Sequence, residues 1–405
     1  MHAAATSADH TVTMRYRAHD SCPASGIRRA ARASCGIAAL ALGFAAGCSG
    51  GPASDSAPDE RPTGGSGASG GNAGARMPWS YSPLGLPSEP DDNRSTPEKV
   101  ELGRLLFHDP ILSRDRATAC VTCHSQYWGM GDGLRLGIGV GGTGPSGIGR
   151  TGPTTTRRNV PSLWNAAYRT ALFWDGRVSS LERQVETPLF DDRELGADRE
   201  TLMRDIADIA AYRALFAAAF PEPPAVTGDN LARAIASFVR TIVTRDAPYD
   251  RYAQGDDKAL SGREIRGMFL FNELGCATCH APPMFGADRF DAVASAASGS
   301  LSASDDLGRY EVTGDERDRL AFRVPQLRNL RETGPYFHDG HAPTMKQALH
   351  EMAAATNTRD VAEDDLDGIA EFIGKGLMDK ARVPERPLSV PSGLPVPADG
   401  FVIRR

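Results

Sequence analysis

No cysteine is available to staple the folded part of this chain. Of seven cysteines in 405 residues, Cys22, Cys35 and Cys48 lie in the first 48 positions, and the other four form two Cys-x-x-Cys pairs. A structural disulfide in the main body is therefore excluded. Long apolar runs are missing as well. Only residues 36–46 (GIAALALGFAA) approach one, and they are too short to span a bilayer. An excess of positive charge is also missing: 45 Lys and Arg against 51 Asp and Glu give a net charge of −6, which argues against a nucleic-acid partner. Alternating apolar–polar strand patterns are nearly absent, which leaves a mostly α fold. Nine histidines are present, yet none falls between His124 and His280. What remains, 40% hydrophobic and 24% charged residues, suits a soluble globular protein of about two ordinary domains.

The N-terminus reads as a secretion signal. Arg28, Arg29 and Arg32 precede the short apolar stretch, and Ala45-Ala46-Gly47-Cys48 resembles a bacterial lipobox with Cys48 as the lipidated residue. Ala45 stands where a lipobox usually has Leu, so an ordinary signal peptide cut nearby is the alternative. Met14 is a candidate start, since residues 1–13 add nothing to the signal. Residues 49–76 are Gly, Ser, Ala and Pro with almost no large apolar side chain, a flexible tether. The expected organisation is a signal at 1–47 and a tether at 48–83, with order starting near Trp79 or Leu84. Two domains at 84–254 and 255–385 follow, then a proline-rich extended tail at 386–405. The boundary between the domains falls at Gln254-Gly255-Asp256-Asp257.

Helices are signalled in both halves. Ser95-Thr96-Pro97-Glu98 caps a first helix with Val100, Leu105 and Leu106 on its apolar side, ending before Asp109-Pro110. Leu231, Ile235, Phe238, Val239 and Ile242 mark a helix over 230–244, with Asp229 as its cap. Ser261-x-x-Glu264 is a capping box that opens a helix running into Cys276. Leu366, Ile369, Ala370 and Ile373 mark another. The segment 125–160, rich in Gly, Thr and Pro, reads as irregular.

The chemistry lies in Cys120-Val121-Thr122-Cys123-His124 and Cys276-Ala277-Thr278-Cys279-His280. Two cysteines three apart can each add to a haem vinyl group, and the next histidine ligates the iron. A zinc site would need the pairs ~15–20 residues apart; here they are about 150 apart. A thioredoxin-like pair would need a βαβ setting. Two covalently bound haem c groups, with His124 and His280 as proximal ligands, are thus expected. The occupant of each distal position decides the chemistry: an open iron admits an oxidant, while a methionine raises the potential and favours electron transfer. On spacing alone Met352, Met130 and Met284 are all candidates, and each could equally be core or loop.

With both haem motifs, the chain resembles the bacterial di-haem cytochrome c peroxidase family, which also contains the maturation enzyme MauG. The resemblance spans about residues 84–385. It rests on Leu102-Gly103-Arg104-Leu105-Leu106-Phe107 with Asp109-Pro110, Arg158-Asn159, Phe173-Trp174-Asp175-Gly176-Arg177, Pro325-Gln326-Leu327-Arg328-Asn329 and Pro335-Tyr336-Phe337-His338-Asp339-Gly340. It implies two cytochrome c-like domains that each bind one covalent haem, with peroxide reacting at the N-terminal haem and the C-terminal haem receiving electrons. Gln184 and Glu194 have the ten-residue spacing of the family's distal Gln and acid; by chemistry alone Glu186 competes with Glu194. Trp174 matches the tryptophan between the haems. Met352, fourteen residues after His338, matches the distal methionine of the peroxidases, where MauG has a Tyr. Asn159, Thr333 and Pro335 match the family's calcium ligands, so a Ca²⁺ ion is implied.

In one respect the chain departs from the family pattern. Many members carry a histidine before Arg-Asn that blocks the peroxidatic iron until the other haem is reduced; here something like Thr151 takes its place. An N-terminal haem that is open or water-bound without reductive activation is therefore expected, a feature shared with MauG. The implied reading is a periplasmic peroxidase, held at the outer membrane by a lipid on Cys48. It would reduce hydrogen peroxide with electrons from a small cytochrome c or cupredoxin, and the family allows a homodimer. The alternatives are a MauG-like enzyme that oxidises a partner protein's side chains, and a non-enzymatic electron-transfer or redox-sensing cytochrome.

Overall fold

A computed structural model of the chain describes residues 77–292, 306–356, 361–380 and 385–400. The signal segment, Cys48 and most of the Gly/Ser-rich stretch lie outside the described residues. Among those described, no helix is long and apolar enough to cross a membrane. The fold is mostly helical. In chain order the helices are α1 (Pro97–His108), α2 (Cys120–Cys123), α3 (Leu181–Phe190), α4 (Arg199–Asp208), α5 (Ala210–Ala219), α6 (Gly228–Val239), α7 (Pro248–Ala253), α8 (Gly262–Glu273), α9 (Tyr310–Thr313), α10 (Met345–Ala355) and α11 (Glu363–Glu371). The described strands are β1 (Phe290–Asp291) and β2 (Phe322–Arg323), an antiparallel pair with Phe290 opposite Arg323.

α1 starts where its sequence signal lies. The Thr96 hydroxyl accepts from the Lys99 N–H and Pro97 takes the first helical position. Its buried face is Leu102, Leu106 and Phe107, whereas Val100 and Leu105 are only partly covered. Gly103 explains the turn of this face. It lets α1 press onto α6 so closely that a Cβ on Gly103 would lie 2.0 Å from the Ala234 carbonyl oxygen.

α6 corrects two expectations. Its cap is Thr227, whose hydroxyl accepts from the Asn230 N–H. Asp229 lies in the first turn and pairs with Arg233 at 3.0 Å. The helix also stops at Val239 and does not reach 244. The Ile242 carbonyl accepts from the Asn165 N–H, and the Thr244 N–H donates to Asn165 Oδ1, so backbone groups that would continue the helix are spent on Asn165. The capping box of α8 forms as expected, with Ser261 and Glu264 each bonding the other's backbone N–H. That helix ends at Glu273, however, and Gly275 at φ +79° breaks it before Cys276.

The apolar interior forms two clusters. The first draws on α1 and α3 to α6 and is rich in Leu, Ile and Ala, with Tyr212, Phe216 and Phe238. The second is aromatic at its centre, where Tyr249, Phe271, Phe285 and Phe372 meet edge to face. It takes in Tyr249, which precedes Gln254, and also Trp79, whose indole N–H donates to the Tyr249 hydroxyl at 2.8 Å. Arg328 and Asp250 form a fully buried two-bond pair here, both contacts at 2.7 Å.

The segment 125–160 is irregular as expected, yet it is pinned. Arg150 donates to the carbonyls of Ile138 and Gly139 and to the Thr118 hydroxyl. The described part of the tail is extended but not free. Ser392 donates to Asp109 Oδ1 at 2.6 Å, the Gly400 N–H bonds the Ser146 carbonyl, and Val390 is buried.

Candidate haem-binding active site

In both Cys-x-x-Cys-His motifs the histidine N–H bonds the carbonyl of the first cysteine at 2.9 Å, which sets the imidazole one turn beyond the cysteine pair. The first motif does this as α2, steadied by a bond from the Ala119 N–H to the Thr122 hydroxyl. The second does it as a 3₁₀ turn that Gly275 launches. His124 Nδ1 lies 3.0 Å from the Met130 carbonyl, and His280 Nδ1 lies 3.1 Å from that of Pro325. A proton held at Nδ1 leaves the Nε2 lone pair for a metal, so each tautomer suits an axial iron ligand. Burial lowers both imidazoles to about 4, so both are neutral near pH 7. Among the described residues, none of Cys120, Cys123, Cys276 and Cys279 is paired in a disulfide.

The surroundings also suit two haems. Among the described residues, several buried polar atoms have no protein partner: both nitrogens of His338, Trp128 Nε1 and Arg169 Nη2. Leftover donors are costly in an apolar interior, and the propionate carboxylates of a haem are acceptors. His124 further lines a small cavity with His108, Met130 and Phe238, to which the tail contributes Arg386 and Asp399. Asp399 is fixed there by the Ser125 hydroxyl at 3.0 Å and by Arg386.

Glu194 follows α3 and is partly buried. Burial, reinforced by Asp191 and opposed by Arg177, raises its carboxyl to about 7, and its charge is felt at Cys120 and Cys123. The glycine-rich loop packs onto its backbone: the Val140 N–H bonds the Glu194 carbonyl at 2.6 Å, and a Cβ on Gly139 would meet Glu194 Cα at 2.6 Å. Glu186, the competing carboxylate, is also partly buried but is paired with Arg199 at 3.2 Å. Gln184 lies on α3, partly buried. Thr151 is exposed and bonds Thr143 through both backbone groups.

The Trp174 indole N–H donates to the Asn159 carbonyl at 2.9 Å, and its ring meets His338 edge to face at 6.5 Å. His338 in turn stacks on Phe322 with centroids 3.7 Å apart. The Asn159 N–H bonds the His338 carbonyl, which joins the Arg-Asn segment to the Pro335–Gly340 segment. The Asn159 amide N–H₂ donates to the carbonyls of Leu134 and Arg135. Thr333 and Pro335 border the turn after Leu330–Glu332.

The methionines part ways. Met130 is buried in the first core and serves His124 through its backbone carbonyl, Met284 lies partly buried in a turn, and Met352 is partly buried near the end of α10. Sequence reasoning missed Asp132, whose burial raises it to about 7 and whose Oδ2 is unpartnered. It also missed His338 and the tail's Asp399. The Gly131-Asp132-Gly133 setting and the two histidines of 338–341 were available signals; nothing in the sequence ties Asp399 to His124.

Comparison with known proteins agrees with this arrangement. The family described as di-haem cytochrome c peroxidase matches residues 97–258. Cytochrome c551 peroxidase of Pseudomonas aeruginosa is 33% identical over 295 residues, covering 71% of this chain and 82% of that protein. Methylamine utilization protein MauG of Methylorubrum extorquens is 36% identical over 263 residues, covering 64% and 70%. Cytochrome c peroxidase Ccp of Escherichia coli is 33% identical over 281 residues, and the alignment spans 57% of that longer protein. A crystal structure of a MauG-like protein associated with microbial copper homeostasis superposes with TM-score 0.66 at 27% identity, covering 75% of this chain and 95% of that one. The two haem motifs, the buried carboxylate beside the first and these relatives together identify the chain as a member of the di-haem cytochrome c peroxidase family.

Proposed function

We propose that this protein is a peroxidase that reduces hydrogen peroxide to water at the His124 site, with electrons entering through the His280 site from a small redox protein. The observation that carries the reading is Glu194, a carboxyl raised to about 7 beside the first haem motif. Haems held by Cys120, Cys123 and His124 and by Cys276, Cys279 and His280 would supply the redox chemistry, with the electrons coming from the small redox protein. Glu194 then moves the proton: as a carboxylate it takes one from the near oxygen of peroxide and returns it to the leaving oxygen as the O–O bond breaks. With two electrons and two protons the products are two waters. Gln184 orients the peroxide, and Trp174 relays electrons between the two sites. Met352 would offer a thioether ligand to the haem held at the second motif, which would favour electron transfer there. Asn159 Oδ1 with the carbonyls of Thr333 and Pro335 offers the oxygen ligands that suit Ca²⁺. Secretion, and anchoring through Cys48, go with this reading.

The absence of a histidine throughout 125–279, together with the exposed position of Thr151, supports a first iron that is open without reductive activation. That feature also favours a second reading, a MauG-like oxidation of a partner protein. Steady-state peroxide reduction with a reduced cytochrome c separates the two. Rapid turnover supports the peroxidase. Slow turnover with oxidation of an added protein supports the second reading, and no reaction with peroxide leaves an electron carrier.

A further inference from the structure

A line of charged contacts joins two segments that peroxide reduction does not by itself explain. Arg135, in the loop after the first haem motif, donates through Nε to the Asp339 carbonyl at 3.2 Å, and its guanidinium lies 3.8 Å from Asp339 Oδ2. Asp339 Oδ1 meets His341 Nδ1 at 2.5 Å, and His341 Nε2 meets Glu351 Oε2 at 2.6 Å. The other oxygen of Glu351 accepts from Gln347, one turn earlier on α10, at 2.9 Å. The His341 ring is stacked on Phe337, 4.7 Å between centroids and 5° from parallel. Met352 is the residue that follows Glu351.

Both ring nitrogens of His341 face carboxyl oxygens at hydrogen-bond distance, an arrangement that favours a ring carrying a proton on each nitrogen. Burial works against that charge, but the bonds to Asp339 and Glu351 outweigh it and raise the imidazole above its ordinary value. Charge-assisted bonds at both ends of a stacked, mostly buried ring fix direction as well as distance. A neutral pair of surface residues would not do this. Nor is the arrangement needed to hold α10 as a helix, since Thr344 caps it and α10 also pairs with α11 through Lys346 and Glu363.

We propose that His341 is the positioning residue for Met352: it holds Glu351, and with it the turn of α10 that carries the methionine, and ties that turn through Asp339 to the loop behind the first haem motif. The proposal rests on the reading of Met352 as the axial ligand of the second haem. A thioether is a weak ligand that the protein must deliver, and groups behind a ligand set how well it is delivered.

The test uses the purified di-haem protein and reads the near-infrared methionine-to-iron charge-transfer band and the midpoint potential of each haem. Wild type is compared with His341→Ala, Glu351→Gln and Met352→Ala. Met352→Ala is expected to abolish the band. His341→Ala is expected to weaken the band and to shift the balance between the ferrous and ferric states about tenfold toward ferric, which a one-electron couple reads as a fall of about 59 mV at that haem alone. Glu351→Gln keeps an acceptor for His341 but not its charge, so a smaller fall in the same direction is expected, and it carries the test if His341→Ala does not fold. If the band and both potentials stay at wild-type values in the His341 and Glu351 variants while Met352→Ala loses the band, the positioning role is wrong. Equal shifts at both haems also overturn it, because they report general loosening. A wild type without the band, or a Met352→Ala variant that keeps it, overturns the ligand reading and the positioning role with it.

Discussion

The two haem motifs share a five-residue pattern and the same histidine-to-cysteine backbone bond, yet the charges acting on them differ: Asp132 and Glu194, with Arg150, act at the first, and Arg169 and Arg289, each paired with an aspartate, act at the second. Near the first stand Glu194 and Asp132, both carboxyls raised to about 7 chiefly by burial. Near the second the charges acting on His280 are Arg169 and Arg289, and buried Arg323 is lowered to about 9 by desolvation and by Arg169. Buried acids that hold or release a proton near neutral pH equip a site for proton transfer. Buried cations stabilise the less positive oxidation state of a nearby iron, by Coulomb's law in a poorly screening interior. On the proposed reading, side chains outside the motif would equip the first site for proton transfer and favour reduction at the second.

Removing the proton carrier is expected to have the largest effect. Glu194→Gln keeps the shape of the side chain and its packing against the glycine-rich loop but cannot take a proton. Peroxide turnover is expected to fall about 10²–10⁴-fold, while the haem absorbance per protein and the spectrum of the second haem stay as in wild type. Turnover within threefold of wild type would remove Glu194 from the chemistry and leave Asp132 as the buried acid to examine.

The second core offers the next largest effect, and there it falls on stability. Arg328 and Asp250 are completely buried and bonded to each other at two points, with Arg328 also donating to the Pro283 carbonyl. No pair of this kind, buried on both sides to this degree, is found in the first core among the described residues. Arg328→Ala leaves Asp250 charged in an apolar interior, which costs about 3–5 kcal/mol. Chemical denaturation should register it, with loss of the edge-to-face aromatic cluster in near-ultraviolet circular dichroism. The replacement of both residues by apolar ones of similar size should cost far less than Arg328→Ala alone. An equal cost would mean that the pair acts through packing.

The contrast in charge also predicts a pH profile. Glu194 must be ionised to accept a proton, and its carboxyl titrates at about 7. Peroxide turnover should therefore rise about tenfold per pH unit below that value and level off above it. Glu194→Gln should lack this limb. Stability runs the other way. A carboxyl raised from 4.5 to about 7 on folding binds its proton more tightly in the folded state, so the folded state loses stability as pH climbs through that window. The difference in melting temperature between Glu194→Gln and wild type should consequently grow from pH 5 to pH 8 in favour of the variant.

Much of this was legible in the sequence for physical reasons that can be named. The two Cys-x-x-Cys-His motifs, the Thr-Pro start of α1 and the Ser261–Glu264 box are local features, in which the residues that signal the structure are the residues that make it. Glu194 and Met352 were singled out through spacing shared with a family; the structure sets Glu194 apart from Glu186 by its raised carboxyl and by the ion pair that Glu186 makes with Arg199. The reading went astray where a distant partner decides. α6 ends at Val239 because Asn165 claims its next backbone groups, and α1 turns its face because Gly103 meets Ala234. Nothing near Asp399 in the chain signals that it reaches the His124 cavity. Asp132 and His338 were passed over because a buried polar group is visible only once the burial is.

The tail gives the smallest effect and bears on the comparison from an unexpected side, since a segment that follows the second haem motif in the chain packs beside the first. Ser392 donates to Asp109 Oδ1, and its N–H reaches Oδ2 of the same carboxylate. Asp109 also accepts from the Tyr212 hydroxyl and the Ile111 N–H. Ser392→Ala removes one charge-assisted bond but leaves Asp109 with its other partners, so the loss should be about 1–2 kcal/mol and local to the tail. The global unfolding midpoint should barely move. Limited proteolysis near residues 386–400 should instead become faster, and the His124 haem should show a small spectral change because Arg386 and Asp399 line its cavity. If the tail is cut faster while that spectrum stays fixed, the tail braces the first core without tuning its haem. The asymmetry between the two sites would then rest on the buried acids and cations alone.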